Sequence, residues 1–464
     1  MLELFVNELN NLKPILDQVT SASLDFLENI AEKPTYISDQ TVTAADLSDA
    51  GIGAAGSLEV FRNHYEKLMV ASPGPRYWGF VTGGATPAAI AGDWLTAVYD
   101  QNTQSTQGAG DVSAILEKET IRLLCQLLHL PEDFNGGFVT GATMSNFTGL
   151  AVARQWAGAR SGRDVSREGV SGDLVVMAGT PHSSVVKSLG MLGIGSNSVV
   201  RIEVPEGREA MDLGDFEQKL IAHQYRPVIV NCSAGTVNTV DFDDIKAIVA
   251  LKQKYPFWLH IDAAFGGFAA CLPAQQHLLA GWEHADSITI DCHKWMNVPY
   301  DSAVSLVRKE HSRLQVSTFQ NSNAPYLGDP SENFSYLNFL PENSRRFRAL
   351  PAWFSLTAYG RNGFEWIVQN SITRAQAFGT YIQSSDHFEL LAPVRLNVVC
   401  FRLKSDRERM SAFLDRLNRR GKVFMTPTLL SGEPAIRAAF VNYRTAEEDI
   451  LIAIREMEEV MRIL

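Results

Sequence analysis

Short apolar runs alternate with helical stretches through the middle of the chain, and each run ends in a small or polar turn. The runs are Gly137–Thr140, Leu174–Ala178, Val228–Cys232, Trp258–Asp262 and Ser287–Asp291, and between them stretches such as Asp241–Lys254 carry amphipathic helical spacing. This rhythm predicts a mostly parallel α/β sheet, because parallel neighbours need a crossover that packs back on the sheet. After Tyr359–Phe364 the texture becomes helix, strand, helix, strand, helix, with Asn397–Leu403 and Ala435–Asn442 as strands, which predicts a smaller C-terminal α/β domain. At 464 residues the chain exceeds one typical core. The expected division is an N-terminal helical segment over 1–75, a large domain over 76–365 and a small domain over 366–464.

Near the start, Leu2, Phe5, Leu9, Leu12, Leu16 and Val19 recur at spacings of three and four, a helix that Pro14 should kink or restart. Its apolar stripe needs cover, either from its own subunit or as a swapped arm on a partner. A net charge of −11 without any long Lys/Arg cluster argues against nucleic acid or an anionic membrane as the main partner. Five scattered cysteines form no CxxC pair, so neither a disulfide framework nor a metal site is expected, and a reducing cytoplasm fits. No apolar run reaches the roughly 18 residues of a membrane span. Glu3 and Glu8 stand where a secretory signal would carry positive charge, so the protein is expected to be soluble and to start near Met1.

In an open α/β sheet, ligands sit beyond the carboxyl ends of the strands. The turns there read TGATMSN (140–146), GTPHSSV (179–185), SAGTVNT (233–239), HIDAAFGG (260–267) and DCHKWMN (291–297). TGATMSN opens a helix, so its backbone N–H groups and the hydroxyls of Thr143 and Ser145 suit an anion such as phosphate, though an ordinary strand-to-helix turn reads the same way. Asp262 closes an apolar strand, where a carboxylate needs a cationic or donating partner. His182 and Lys294 follow two further strands. Alone, each reads equally as a cap, a packed side chain or a salt-bridged amine. Together they match one cofactor, pyridoxal phosphate, which requires a phosphate cradle, a lysine amine for its aldehyde, a carboxylate for its ring nitrogen and a flat group against its ring.

HIDAAFGGFAACLP followed by DCHKWMNVPYDSA, with GTPHSSVVKSLGMLGI upstream and SRRFRALPAWFSLTAYGRNGFE downstream, resembles the group II pyridoxal-phosphate decarboxylases, over residues 71 to 370. That family includes aromatic-L-amino-acid and glutamate decarboxylases. The resemblance implies an aspartate-aminotransferase-type (fold type I) homodimer with active sites at the subunit interface. It implies that Lys294 is the Schiff-base lysine, that Asp262 pairs with the pyridine nitrogen, that His182 stacks on the ring and that Ala264 packs beneath it. Ala142 and Thr143 match the phosphate loop, with His293 also reaching phosphate. Many relatives carry a different phosphate loop, which favours backbone over hydroxyl contacts here. In PRYWGFVTGG the family often lines the substrate side with aromatics, so Tyr77, Trp78 and Phe80 are pocket candidates, although three aromatics in four residues also suit a core.

The reaction implied is decarboxylation of a small-molecule L-amino acid to its amine and carbon dioxide through a Schiff base and a quinonoid, the work of a carboxy-lyase. Thr236 and Asn238 are candidate substrate or cofactor contacts or simply a structural turn, and Arg437 is a candidate carboxylate ligand. Family decarboxylases protonate Cα from a mobile-loop tyrosine. Counting back nine residues from Arg345 gives Tyr336, with Tyr326 the rival, in the polar, proline-punctuated stretch 318–341 that reads as a lid. Transamination and decarboxylation coupled to aldehyde formation are the alternatives.

Overall fold

Strands buried on both faces read as mostly apolar runs, and here they build the parallel part of a large sheet. The computed structural model describes residues 2–42, 46–107, 110–170, 172–320, 334–405 and 407–464. The large sheet contains β1 (Phe134–Val139), β2 (Val175–Ala178), β3 (Val199–Arg201), β4 (Val228–Ser233), β5 (Phe257–Asp262), β6 (Ser287–Ile290) and β7 (Ala303–Arg308), in the order β1-β7-β6-β5-β4-β2-β3. Its run from β3 to β6 is parallel, and β7 inserts antiparallel between β6 and β1. In β4 the strand period separates two cores: Val228, Val230 and Cys232 join one cluster while Ile229 joins another with Trp258 and Leu150. The register sets Ser233 opposite Asp262 and Asp262 opposite Thr289, so three polar side chains end their strands at one level.

The smaller antiparallel sheet has β8 (Phe388–Leu390), β9 (Val398–Leu403), β10 (Thr426–Leu430) and β11 (Glu433–Ala439), in the order β10-β11-β9-β8. The helix Ala349–Ser384 connects the two units, with a break at Gly360, whose φ of 55° suits glycine. Its Phe364, Ile367, Val368 and Ile372 pack into the large core, whereas Ala375, Phe378 and Ile382 pack into the small one. Core membership therefore changes hands inside a helix.

A strap over residues 76–86 ties the units together. Trp78 N–H donates to Phe424 O, Phe424 N–H to Arg76 O and Ala439 N–H to Trp78 O, all on the small unit. Further on, Gly83 N–H donates to His293 O and Thr86 N–H to Asn297 O. Glycine is required at 83, since a Cβ there would lie 1.7 Å from the Lys294 carbonyl oxygen.

At the N-terminus, helices Leu2–Asn10 and Leu12–Glu28 break at Asn11, and Pro14 sits in the first turn of the second, where no intrahelical N–H bond is needed. Phe5, Val6, Leu9, Leu12, Leu16 and Val19 are exposed, so the described residues of the chain's own subunit do not cover the stripe. Among the described residues no helix is long and apolar enough to cross a membrane.

The stretch expected to act as a lid divides. Residues 321–333, with Tyr326, lie outside the described residues. From Phe334 onward the chain is packed down: Tyr336 N–H donates to Gln104 O, Thr106 N–H to Phe334 O and Thr103 N–H to Arg345 O. Arg345 and Glu117 form a fully buried ion pair, and the guanidinium also donates to Phe138 O and Thr103 O. Glu117→Leu should therefore lose about 3–5 kcal/mol of unfolding free energy by leaving Arg345 unpaired. Chemical denaturation should find the Glu117→Leu/Arg345→Met double variant less damaged than the sum of the singles. Simple additivity would contradict the pairing.

Candidate active site

A cleft of about 370 Å³ opens beyond the carboxyl ends of β2, β4 and β5, and among its walls are His182, Asp262, Lys294 and, from β11 across the interdomain gap, Arg437. Lys294 stands in the turn after β6. Its Nζ lies 3.3 Å from Asp291 Oδ2 and 5.8 Å from the centre of the Phe265 ring. His293 Nε2 approaches the other oxygen of Asp291 at 3.1 Å. Burial works to raise the Asp291 carboxyl, yet Lys294 and His293 together outweigh it and hold the group below the ordinary carboxylate range.

The helix Ala142–Arg160 begins at Gly141, where a Cβ would lie 3.3 Å from the His293 ring. Its first backbone N–H groups, at Ala142 and Thr143, have no intrahelical acceptor and carry the positive end of the helix dipole beside His293. That is chemistry for a phosphate. These two residues stand at the helix start rather than in the wall of the cleft proper.

Asp262 ends β5 with both oxygens engaged, accepting from Ala264 N–H at 3.2 Å and from Asn146 Nδ2 at 3.0 Å. His182 caps the helix Ser183–Met191, its Nδ1 accepting from Ser184 N–H at 3.2 Å and lying 2.7 Å from Ser184 Oγ. Burial lowers its pKa, against the opposing pull of Asp262, so the ring is held neutral. A neutral flat ring, a carboxyl group, an amine and an anion cradle around one cleft fit pyridoxal phosphate part for part.

Toward the small sheet, Arg437 reaches Asn238 Oδ1 and Val237 O, each at 3.4 Å, and its buried Nε has no partner among the described residues. Burial works against its charge, which suits a guanidinium awaiting an anion. Asn238 also bonds Thr428 Oγ1 at 2.7 Å and Leu429 O at 2.9 Å, bridging the two units. Thr236 points its hydroxyl to Glu209 Oε2 at 2.6 Å and is thus engaged by the loop after β3.

Several expected contacts are not brought here. Trp78 is fully buried in the small-unit core, against Phe440 and Phe378. Tyr77 stacks on Phe424 at 4.6 Å, and Phe80 is exposed beside the same ring; neither lines the cleft of its own chain. Tyr336 is a correction as well. Fully buried against Phe334 and Phe339, it lies under the Arg345 guanidinium at 4.3 Å and is absent from the cleft wall, so in this arrangement it has no path to a substrate. Conversely, Asn146, Ser184, Glu209 and Asp291 were not singled out from sequence. Asn146 and Asp291 stand inside the two turns already marked, TGATMSN and DCHKWMN, which was the available signal; Glu209 had none.

The profile described as "Pyridoxal-dependent decarboxylase conserved domain" matches residues 60–404. The aromatic-L-amino-acid decarboxylase of Drosophila melanogaster is 30% identical over 462 residues, covering 93% of this chain and 88% of the fly protein. L-2,4-diaminobutyrate decarboxylase of Rhizobium meliloti (strain 1021) is 28% identical over 415 residues, covering 87% of this chain and 81% of its own length. Among solved structures, Oryza sativa TDC with PLP and tryptamine superposes with a TM-score of 0.89 at 22% identity, covering 98% of each chain.

The Asp291 pairing has a pH signature. A carboxyl depressed by folding contributes stability above its unfolded pKa and loses it as pH falls through the lower folded value. Asp291→Asn should thus cost about 2 kcal/mol, evenly from pH 8 to 5, with the gap to the parent closing below about pH 4. Urea titrations across that range would read it; a gap that widened in acid would contradict the pairing.

Proposed function

The chain belongs to the pyridoxal-dependent decarboxylase family, with the type I fold of its structural neighbours and pyridoxal 5'-phosphate as cofactor; from that premise we propose how its residues divide the work on an L-amino acid. The observation that carries the assignment is the convergence of Lys294, Asp262, His182 and Arg437 on one cleft at the sheet's carboxyl edge. Bound there, pyridoxal phosphate supplies an aldehyde that captures the substrate amine and a ring that accepts the electron pair left when carbon dioxide departs.

Each residue contributes binding, orientation or proton control. Ala142 and Thr143 N–H groups with His293 would hold the phosphate, and the amine of Lys294 would anchor the aldehyde. Asp262, fixed by Asn146 and by Ala264 N–H, keeps a proton on the ring nitrogen. His182 and Ala264, both in the cleft wall, would hold the ring and keep water from the reacting bond. Arg437, steadied by Asn238 and by the turn that holds Thr236, would receive a carboxylate on the substrate's side chain, which favours an acidic amino acid. Orientation then decides which bond at Cα breaks. Because Tyr336 is sealed in the core, the proton for Cα is assigned to Tyr326, which lies outside the described residues.

For partners, a homodimer explains the uncovered stripe from Phe5 to Val19, which a second copy would bury, and the exposed Phe80 beside the strap. Light scattering should then give twice the 51.2 kDa chain mass; a monomer at micromolar concentration would reject this. Five buried free cysteines suit a reducing, cytoplasmic setting.

The deciding experiment supplies the loaded enzyme with aromatic, acidic and basic L-amino acids and reads carbon dioxide, amine, aldehyde and keto acid together. Carbon dioxide with amine is expected; keto acid without carbon dioxide would indicate transamination instead. Asp262→Asn should lower turnover about a thousandfold while cofactor remains bound. Tyr326→Phe should divert product from amine to aldehyde, and Tyr336→Phe should leave the ratio unchanged.

A further inference from the structure

A hydrogen-bond chain crosses the buried edge of the sheet, and its two ends have fixed polarity. Trp258 can only donate, and its Nε1–H lies 2.9 Å from Ser287 Oγ. The Asp262 carboxylate can only accept, and Asn146 Nδ2 lies 3.0 Å from it. Everything between follows. Ser287, which accepts from Trp258, gives its own proton to His260 Nδ1 at 2.8 Å, because the other ring nitrogen faces the amide oxygen of Asn146 and must donate. His260, whose burial pushes its pKa down to about 4, is neutral and so carries its proton on Nε2. That nitrogen meets Asn146 Oδ1 at 2.9 Å, and Thr289 Oγ1 donates to the same oxygen at 2.7 Å. With Oδ1 so occupied, Asn146 Nδ2 has two hydrogens for two acceptors, Asp262 Oδ2 and, at 3.1 Å, Ser184 Oγ. Ser184 then passes its own proton to His182 Nδ1, which its backbone N–H also reaches.

We infer that Asn146 is the positioning residue of this site: one buried amide turns Asp262 as an acceptor and, through Ser184, holds His182 with its proton on Nε2. No other side chain of that span would serve. Aspartate offers no donor when ionised, serine and threonine offer one, and glutamine is a methylene too long for a fully buried position. Gly149, one turn along the same helix, makes room for the device, since a Cβ there would lie 2.9 Å from the His260 ring. The consequence for the cleft is that the nitrogen of His182 left free is a donor, suited to an oxygen of a bound molecule rather than to a proton. The inference rests on the roles proposed above for Asp262 and His182, but its geometry can be tested without turnover.

The charged and titratable groups around Asp262 are His260 on its own strand, His182 from the neighbouring helix, Lys294 and Asp291 after β6, and Arg437 from β11. Against that background Asn146→Asp keeps the shape but sets a second carboxylate against Asp262, so the pair must retain a proton. A carboxyl raised by folding costs nothing below its unfolded pKa and progressively more as pH rises toward the folded value. Thermal unfolding of the full-length chain, stripped and loaded, should show a deficit against the parent larger at pH 8 than at pH 5 by about 3–6 °C. Ser184→Ala cuts only the branch to His182 and should show a deficit independent of pH. An equal deficit for Asn146→Asp at both pH values, or the same pH dependence in Ser184→Ala, would overturn the inference.

Nitrogen-15 spectra of the unsubstituted protein labelled at its ten histidines need no variant of Asn146 to fold. The signals lost in His182→Gln should report a bare Nδ1 and a protonated Nε2; the opposite tautomer would overturn the inference. In the loaded enzyme, Asn146→Asp should lower kcat about a hundredfold with KM within about threefold. Should the substrate panel find no decarboxylation, the unfolding and tautomer measurements still decide this inference separately.

Discussion

A charged amine held at the end of a buried strand is costly unless a counter-charge is built beside it, and Asp291 is that counter-charge. It lies three residues before Lys294, in the same turn, so strand geometry alone brings the pair together. His293 joins from between them and reaches to the start of the helix that would carry phosphate. Parallel neighbours matter for the same reason. Only a sheet whose strands finish side by side sets Ser233, Asp262 and Thr289 at one level, so that helix starts, carboxylate and amine surround one volume.

The legibility of this molecule in its sequence follows from how local each feature is. Central strands declare themselves because burial on both faces keeps them mostly apolar, and the turns that follow point to the cleft: Asp262 ends β5, His182 and Lys294 stand in the turns after β2 and β6, and all three line its wall. β1 and β7 pair antiparallel across a long separation, which no local pattern encodes. Tyr336 misled because a nine-residue spacing is silent about burial, whereas the structure spends that tyrosine on Arg345 and Phe334. Trp78 was open between pocket and core, and the choice depended on neighbours, Phe440 and Phe378, that come from the other end of the chain. Pro14 was read correctly as a punctuation mark but placed slightly late, since the helix restarts before it.

Asn146 and Glu209 show a different limit. An asparagine in a helix and a glutamate in a loop look ordinary, and their meaning lies wholly in partners far away in sequence. Asn146 gains its role from β5 and β6, and Glu209 from the turn that it stiffens through Thr236 and Thr239. That turn presents Asn238 to the small sheet, so the cleft's cationic end is assembled from both units.

The strap over residues 76–86 acts as a tie-rod. One end is knotted by three backbone bonds to the strands beside Arg437, and the other lies against the carbonyls of His293 and Lys294 with only a glycine's clearance. Displacing the small unit alone would pull on the peptide that carries the lysine, because slack is absent where Gly83 passes. The guanidinium of Arg437 and the amine of Lys294, proposed above to meet a carboxylate and an aldehyde, are thereby kept in one mechanical frame, although more than a hundred residues separate them along the chain.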